Sequence, residues 1–101
     1  MDTKTLIAEA KARFNHNAAK AQLKDKYDGR LRVAEQGGLW QADLHTINFL
    51  NSFDDDEIIL IDSFKDPVKV NRLPLLKKLK ETYTTVMNEW YTELKELESK
   101  R

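Results

Sequence analysis

From Leu76 onward, apolar residues fall at 76, 79, 83, 86/87, 90, 94 and 97, a three-and-four spacing sustained for about three heptads. This pattern predicts one long amphipathic helix. Asn71 is placed to cap it, and Pro74 is tolerated in the first turn, where backbone N–H groups have no intrahelical acceptor. At about 27 residues the helix would be roughly 40 Å long at 1.5 Å per residue, more than a compact domain of this size spans, since its radius of gyration should be near ~13 Å. Two outcomes stay open. Either the first helix lies along this one and buries its stripe, or the C-terminal half projects and offers Tyr83, Met87, Trp90, Tyr91, Leu94 and Leu97 to a partner or a second copy.

Upstream, Leu6, Ile7, Ala10, Phe14, Ala18 and Ala21 recur at helical spacing in an Ala- and Lys-rich segment, which predicts a first amphipathic helix. Asp2 or Thr3 can cap its start and Asp28-Gly29 can stop it, while Asn15-His16-Asn17 is its weakest stretch. The period then changes. Leu31 and Val33 alternate with Arg30 and Arg32, and Gly37-Gly38 can supply a tight turn, so a hairpin with strands at about 30–36 and 39–42 is expected. Asp43 is a good N-cap for a short helix over "LHTINFLNSF", with Leu44, Ile47, Leu50 and Phe53 on one stripe. "EIILIDSFKDPVKVN" predicts a second hairpin, with a continuously apolar, deeply buried first strand and an Asp66-Pro67 turn.

The expected fold is therefore α+β in the order α-β-β-α-β-β-α: a single domain over residues 1–101, with a small antiparallel sheet packed by helices and a long C-terminal helix. Hydrophobic residues make up 41 % and charged residues 34 % of the chain, too many aliphatics and aromatics for a disordered one. Its longest aliphatic run, Ile58-Ile59-Leu60-Ile61, is far short of the roughly 20 apolar residues a membrane span needs. The first residues lack a basic region followed by a sustained apolar stretch, so no secretory leader is expected and a cytoplasmic setting fits. With no cysteine, disulfides and thiolate chemistry are excluded.

Net charge is zero but unevenly spread: +3 over residues 1–38, −6 over 39–66 and +3 over 67–101. That distribution suits intramolecular docking or self-association as readily as a partner's field. Its densest part is Asp54-Asp55-Asp56-Glu57. Counted from Asp54, a calcium loop would need Gly at position six and Glu at twelve, where the chain has Ile59 and Lys65. The run reads as a solvated loop ahead of a strand. A converging metal site using Asp54, Asp56 and Asp62 is the weaker alternative. Strand alternation puts Asp62 on the same side as Ile58 and Leu60, where a carboxylate needs a partner.

His16 and His45 stand apart and lack zinc-ligand spacing. Ser52, Ser63 and Ser99 have no nucleophile-elbow context, and Gly37-Gly38 fits no phosphate loop. No catalytic residue, cofactor or metal is expected. A basic face for nucleic acid is a second reading, built from Arg30, Arg32, Trp40, Arg72, Lys77 and Lys78.

The strings "QGGLW", "FDDDEIILIDSF", "PVKVNR", "LLKKLKETY" and "VMNEWYTELKELE" resemble a small uncharacterised protein family of T4-like phages, of the type found in cyanophages. The resemblance implies a phage product made in a bacterial host cytoplasm, in some cases ending in the virion, and no functional residues carry over from it. It agrees with a non-enzymatic protein-interaction module, a phage assembly, virion or host-takeover accessory protein. Such a protein would contact its partner, or itself as a homo-oligomer, through the long C-terminal helix.

Overall fold

The computed structural model describes residues 3–100, with the side chains of residues 3–6, 9, 10 and 12–14 left out of the description. Asp2, and the side chains of Thr3, Leu6, Ala10 and Phe14 that the sequence places in the first helix's cap and stripe, lie outside it. The elements are α1 (Thr3–Arg30), β1 (Arg32–Glu35), β2 (Gly38–Gln41), α2 (Leu44–Asn51), β3 (Glu57–Ile61), β4 (Pro67–Asn71) and α3 (Arg72–Ser99). Their order and the α+β class are those the sequence predicts. The strands form two separate two-stranded antiparallel sheets, β1-β2 and β3-β4, rather than a single sheet.

Leu75, Leu76, Leu79 and Val86 of α3 are buried against the inward faces of both hairpins and against α2. The alternation of strand side chains supplies the other half of that core: Val33 and Trp40 from the first hairpin, Ile58, Leu60 and Val70 from the second. α2 adds Ile47 and Leu50. Its N-cap is Asp43, whose carboxylate accepts the Thr46 N–H at 2.8 Å. The helix stops at Asn51, so Phe53 lies beyond it and is partly buried, whereas Leu44 faces out.

Local chemistry moves several boundaries from their expected places. The first hairpin turns on Gln36-Gly37, whose φ angles of 49° and 79° are both positive, as a type I′ turn requires. Gly38 is instead the first residue of β2. The Trp40 indole covers it so closely that a Cβ would stand 2.5 Å from a ring carbon. Asp28-Gly29 does not stop α1, because the Leu31 N–H still reaches the Tyr27 carbonyl at 3.0 Å. The helix also runs unbroken through Asn15-His16-Asn17.

In the second hairpin the reversal spans Asp62 to Asp66, with Lys65 at φ 70°, and Pro67 already belongs to β4. Pro67 opposes Ile61 in the register. The bonds Asp62 N–H to Asp66 O and Arg72 N–H to Asp56 O make this pair a non-hydrogen-bonded one, so its missing N–H costs no ladder bond. Asn71 sits at the N-cap of α3 without capping it through its side chain. Its backbone instead exchanges two bonds with the Gln36 amide, N–H to Oε1 at 2.7 Å and Nε2 to O at 3.1 Å. The tip of the first hairpin is thereby tied to the end of the second.

α3 does not project alone. The C-terminal part of α1 runs antiparallel along it, with Arg30 beside Glu89, Tyr27 beside Trp90 and Glu93, and Ala19 and Leu23 beside Leu97. In this register residues 3–18 of α1 continue past the end of α3, about 24 Å of helix at 1.5 Å per residue. The molecule measures 65 × 24 × 20 Å, and its radius of gyration is 19.3 Å, well above the ~13 Å of a compact chain of this length.

The two glycine environments predict opposite outcomes. Gly38→Ala drives a methyl into the Trp40 ring and is expected to cost about 1–3 kcal/mol, with a change in tryptophan fluorescence. Gly29 lies in α1 with nothing within 4 Å of an added Cβ. There the same substitution is expected to stabilise by about 0.4–1 kcal/mol. Urea denaturation of both variants checks the pair.

Candidate functional site

Asp62 stands where the two hairpins meet, buried to 6 % exposure. Its Oδ1 accepts the N–H groups of Phe64 (3.0 Å) and Asp66 (3.1 Å), and its Oδ2 accepts the Leu39 N–H of β2 at 3.2 Å. Burial pushes its carboxyl toward a higher pKa. The three backbone donors, from Asp66, Leu39 and Phe64, outweigh that and hold it below the ordinary carboxylate value. The partner that strand alternation demanded for Asp62 is thus a set of main-chain N–H groups drawn from both hairpins.

A second bond joins the hairpins at the same point, from the Ser63 N–H to the Leu39 carbonyl at 2.9 Å. A continued antiparallel ladder would next bring Gln41 opposite Ile61, but those residues exchange no hydrogen bond. The strands part there. A groove of about 490 Å³ opens between them, lined by β2, by His45, Thr46 and Phe49 of α2, and by Ile59 to Ser63 with Lys65.

Its surroundings are apolar to an unusual degree. Ile59 and Ile61 are 69 % and 68 % exposed, and Phe49 beside them is 47 % exposed. Phe64 (69 %) extends the surface around the hairpin tip toward Gly38 and Leu39. The expectation of a deeply buried third strand therefore holds for only one of its faces. A two-stranded sheet covered by α3 on one side leaves alternate residues in water, and four aliphatics in succession conceal that alternation in the sequence. The legible signal was the parity of Asp62: it shares the inward face with Ile58 and Leu60, so Ile59 and Ile61 must face out.

The sequence-derived candidates distribute differently. In the aromatic stripe of α3, Trp90 stacks on Tyr27 with ring centroids 6.1 Å apart and planes 8° from parallel. Tyr83 packs against the core, and Met87, Leu94 and Leu97 are half-buried. Of the six, Tyr91 alone is largely exposed, at 63 %, with Lys95 over its ring. α1 thus covers much of the proposed contact stripe. Beside the stack, Glu93 accepts bonds from Lys26 Nζ, at 2.7 Å, and from the Tyr27 hydroxyl. These bonds hold the Glu93 carboxyl below its usual value, and the Glu93 bond raises both Lys26 and Tyr27. Arg30 pairs with Glu89, whose bond raises it too.

The six basic-face residues are not brought together. Trp40 is buried and donates its indole N–H to the Glu35 carbonyl at 2.8 Å. Arg72 is buried as well, its Nε on the Asp55 carbonyl at 2.8 Å and its Nη1 directed at the Leu50 carbonyl. Arg30 is engaged on α3, while Arg32, Lys77 and Lys78 remain exposed.

Glu57 pairs with Lys69 across the second hairpin. The carboxylates of Asp54, Asp55 and Asp56 are exposed and hold no ion pair among the described residues. No group of three or more His, Asp or Glu side chains converges in metal-binding geometry among those residues. His45 lines the groove, and His16 lies half-buried on α1. No helix among the described residues is long and apolar enough to cross a membrane.

No protein-family model matches the chain, and no curated protein or solved structure shows significant similarity to it.

Because the folded-state pKa of Asp62 lies below its ordinary value, folding favours the ionised form. The resulting stabilisation is complete above about pH 4 and is lost as the pH falls through the ordinary value to the depressed one. Asp62→Asn is therefore expected to lower the melting temperature at pH 7 by several degrees, with the gap to the parent closing as the pH drops below about 4. Melting curves of both proteins across that range check the sign.

Proposed function

We propose that the chain is a protein-interaction module without catalytic activity, and that its principal contact surface is the apolar groove between the hairpins. One observation carries this reading. Ile59, Ile61 and Phe49 keep large apolar side chains in water around one groove, and Phe64 does so beside the adjoining hairpin tip; apolar patches on small proteins mark contact sites. Solvation alone gives no reason to place two isoleucines on the open face of a strand.

This reading keeps the interaction role that the sequence suggests and relocates its surface. The finer assignment, a phage assembly, virion or host-takeover accessory protein acting in the bacterial cytoplasm or in the particle, rests on the family resemblance. The nucleic-acid reading loses support because Trp40 and Arg72 are used inside the fold. Arg32, Lys77 and Lys78 are left as ordinary solvated cations.

The test is affinity capture from infected cells with the parent chain and with the double variant Ile59→Lys/Ile61→Lys. Both positions point outward, so the variant should fold normally by circular dichroism while retaining its partner at least about tenfold less well, as truncation of a contact centre does. Equal retention of the same partner by both proteins sinks the proposal. Trp90→Glu should act otherwise, lowering the melting temperature because it breaks the Tyr27 stack.

A further inference from the structure

We infer that the groove takes its partner as an added β-strand: an extended segment of another protein, with apolar residues at alternate positions and basic residues at one end. The inference rests on the interaction reading above and specifies the form of its ligand.

The backbone of β3 supplies the first argument. Asp56 and Asp62 bond to Arg72 and Asp66 across the hairpin, and the register pairs Ile58 with Val70 and Leu60 with Val68. Hydrogen-bonded and non-hydrogen-bonded pairs alternate along an antiparallel ladder. The N–H and C=O groups of Ile59 and Ile61 must therefore point away from β4. The neighbouring group of the same parity, the Ser63 N–H, does point that way, since it bonds to Leu39 of β2. The free edge of β3 thus faces the groove, and the Ile59 and Ile61 N–H groups have no protein acceptor among the described residues.

The outer edge of β2 faces the same groove. Gln41 has the parity of Leu39, whose N–H and C=O both reach across to residues 62 and 63. Two strand edges thus converge at one end and part at the other, leaving the Ile59 and Ile61 groups on one side and the Gln41 N–H on the other, the Gln41 carbonyl already accepting the Asp43 N–H at 3.0 Å. Extended backbone is the ligand that satisfies such groups, because an added strand presents donors and acceptors at the same repeat. A helix has already used its own internally. Alternate apolar side chains of the segment would lie on the face that carries Ile59, Ile61 and Phe49.

Charge gives the segment its polarity. Asp54, Asp55 and Asp56 precede β3 without ion-pair partners among the described residues, and Lys65, which lines the groove, follows the strand's other end. Antiparallel pairing is the more stable mode. A segment docked that way on β3 meets the carboxylates with its C-terminal end, which is where its Lys or Arg residues belong.

A displayed library of random 12-residue peptides, selected on the full chain, tests this. Recovered sequences should alternate apolar and polar residues and end in Lys or Arg. A synthesised binder should lose at least about tenfold in affinity when N-methylated on one alternate set of residues and little on the other. Ile59→Pro removes an outward N–H and no β3-β4 ladder bond, so it should abolish binding with circular dichroism unchanged, while Ile59→Ala should only weaken it. If Ile59→Pro fails to fold, the N-methylated peptides decide alone.

Binders that seat in the groove yet tolerate both N-methyl sets overturn strand addition and leave the interaction reading intact. An empty selection also overturns strand addition alone, since the capture experiment needs no linear segment. Self-association of the free chain, abolished by Ile59→Pro, would show that a second copy occupies the edge and overturn the assignment to another protein.

Discussion

The Asp62 carboxylate holds together two hairpins that have little reason to be stable apart. A two-stranded hairpin is marginal in water by itself, and each of these buries only one face, on α3. Between them the hairpins share no continuous ladder. Their connection is the set of bonds around Asp62, the Ser63–Leu39 bond and the Gln36–Asn71 pair. Asp62 accepts donors from both hairpins while its own backbone closes the β3-β4 reversal. A carboxylate so placed is costly to bury and costlier to leave unpaired. Its geometry therefore fixes where β2 and β3 touch, and so where they part.

α3 explains why the molecule is long. Its first half is a core helix, with Leu75 and Leu79 completely buried. Its second half packs on α1. The ion pairs there, Lys26–Glu93 and Arg30–Glu89, join partly exposed side chains, and such pairs contribute little to stability. The Tyr27–Trp90 stack and the contact of Leu23 with the core carry more of the packing. The uneven charge along the chain is thus used in part. Basic residues of α1 dock on acidic residues of α3, while the acidic centre at Asp54–Asp56 holds no ion pair among the described residues.

Most of the element order was legible in the sequence because each element has a clear period or cap: the heptad-like spacing of α3, the alternation around Val33, Asp43 before α2. The parity of Asp62 was legible too, and it held. What periodicity could not convey was which faces find a neighbour. The "IILI" run is equally consistent with a strand covered on both sides and with one covered on a single side. Only the count of layers decides between them. The α1–α3 overlap is likewise a question of register between distant segments, and the apolar stripe of α3 reads the same whether α1 or another molecule covers it. Gly37-Gly38 misled for a different reason: Gly38 is required by the Trp40 ring rather than by the turn.

An open strand edge flanked by isoleucines is an aggregation hazard, and the surroundings of β3 bear on how the free chain avoids it. The strand is five residues long, Glu57 forms an ion pair with Lys69 diagonally across the hairpin, and three further carboxylates precede it. Charges at the approach and a short edge are the devices by which sheets discourage indiscriminate pairing. They do not discriminate against every strand. An acidic approach repels acidic segments, attracts basic ones and gives neutral ones no such attraction, so the features that protect the edge also select what is admitted to it. Protection and specificity then reside in the same residues, Asp54 to Glu57. This gives a use to the carboxylates of Asp54, Asp55 and Asp56, which hold no ion pair among the described residues and yet stand directly before a strand with an open outer edge.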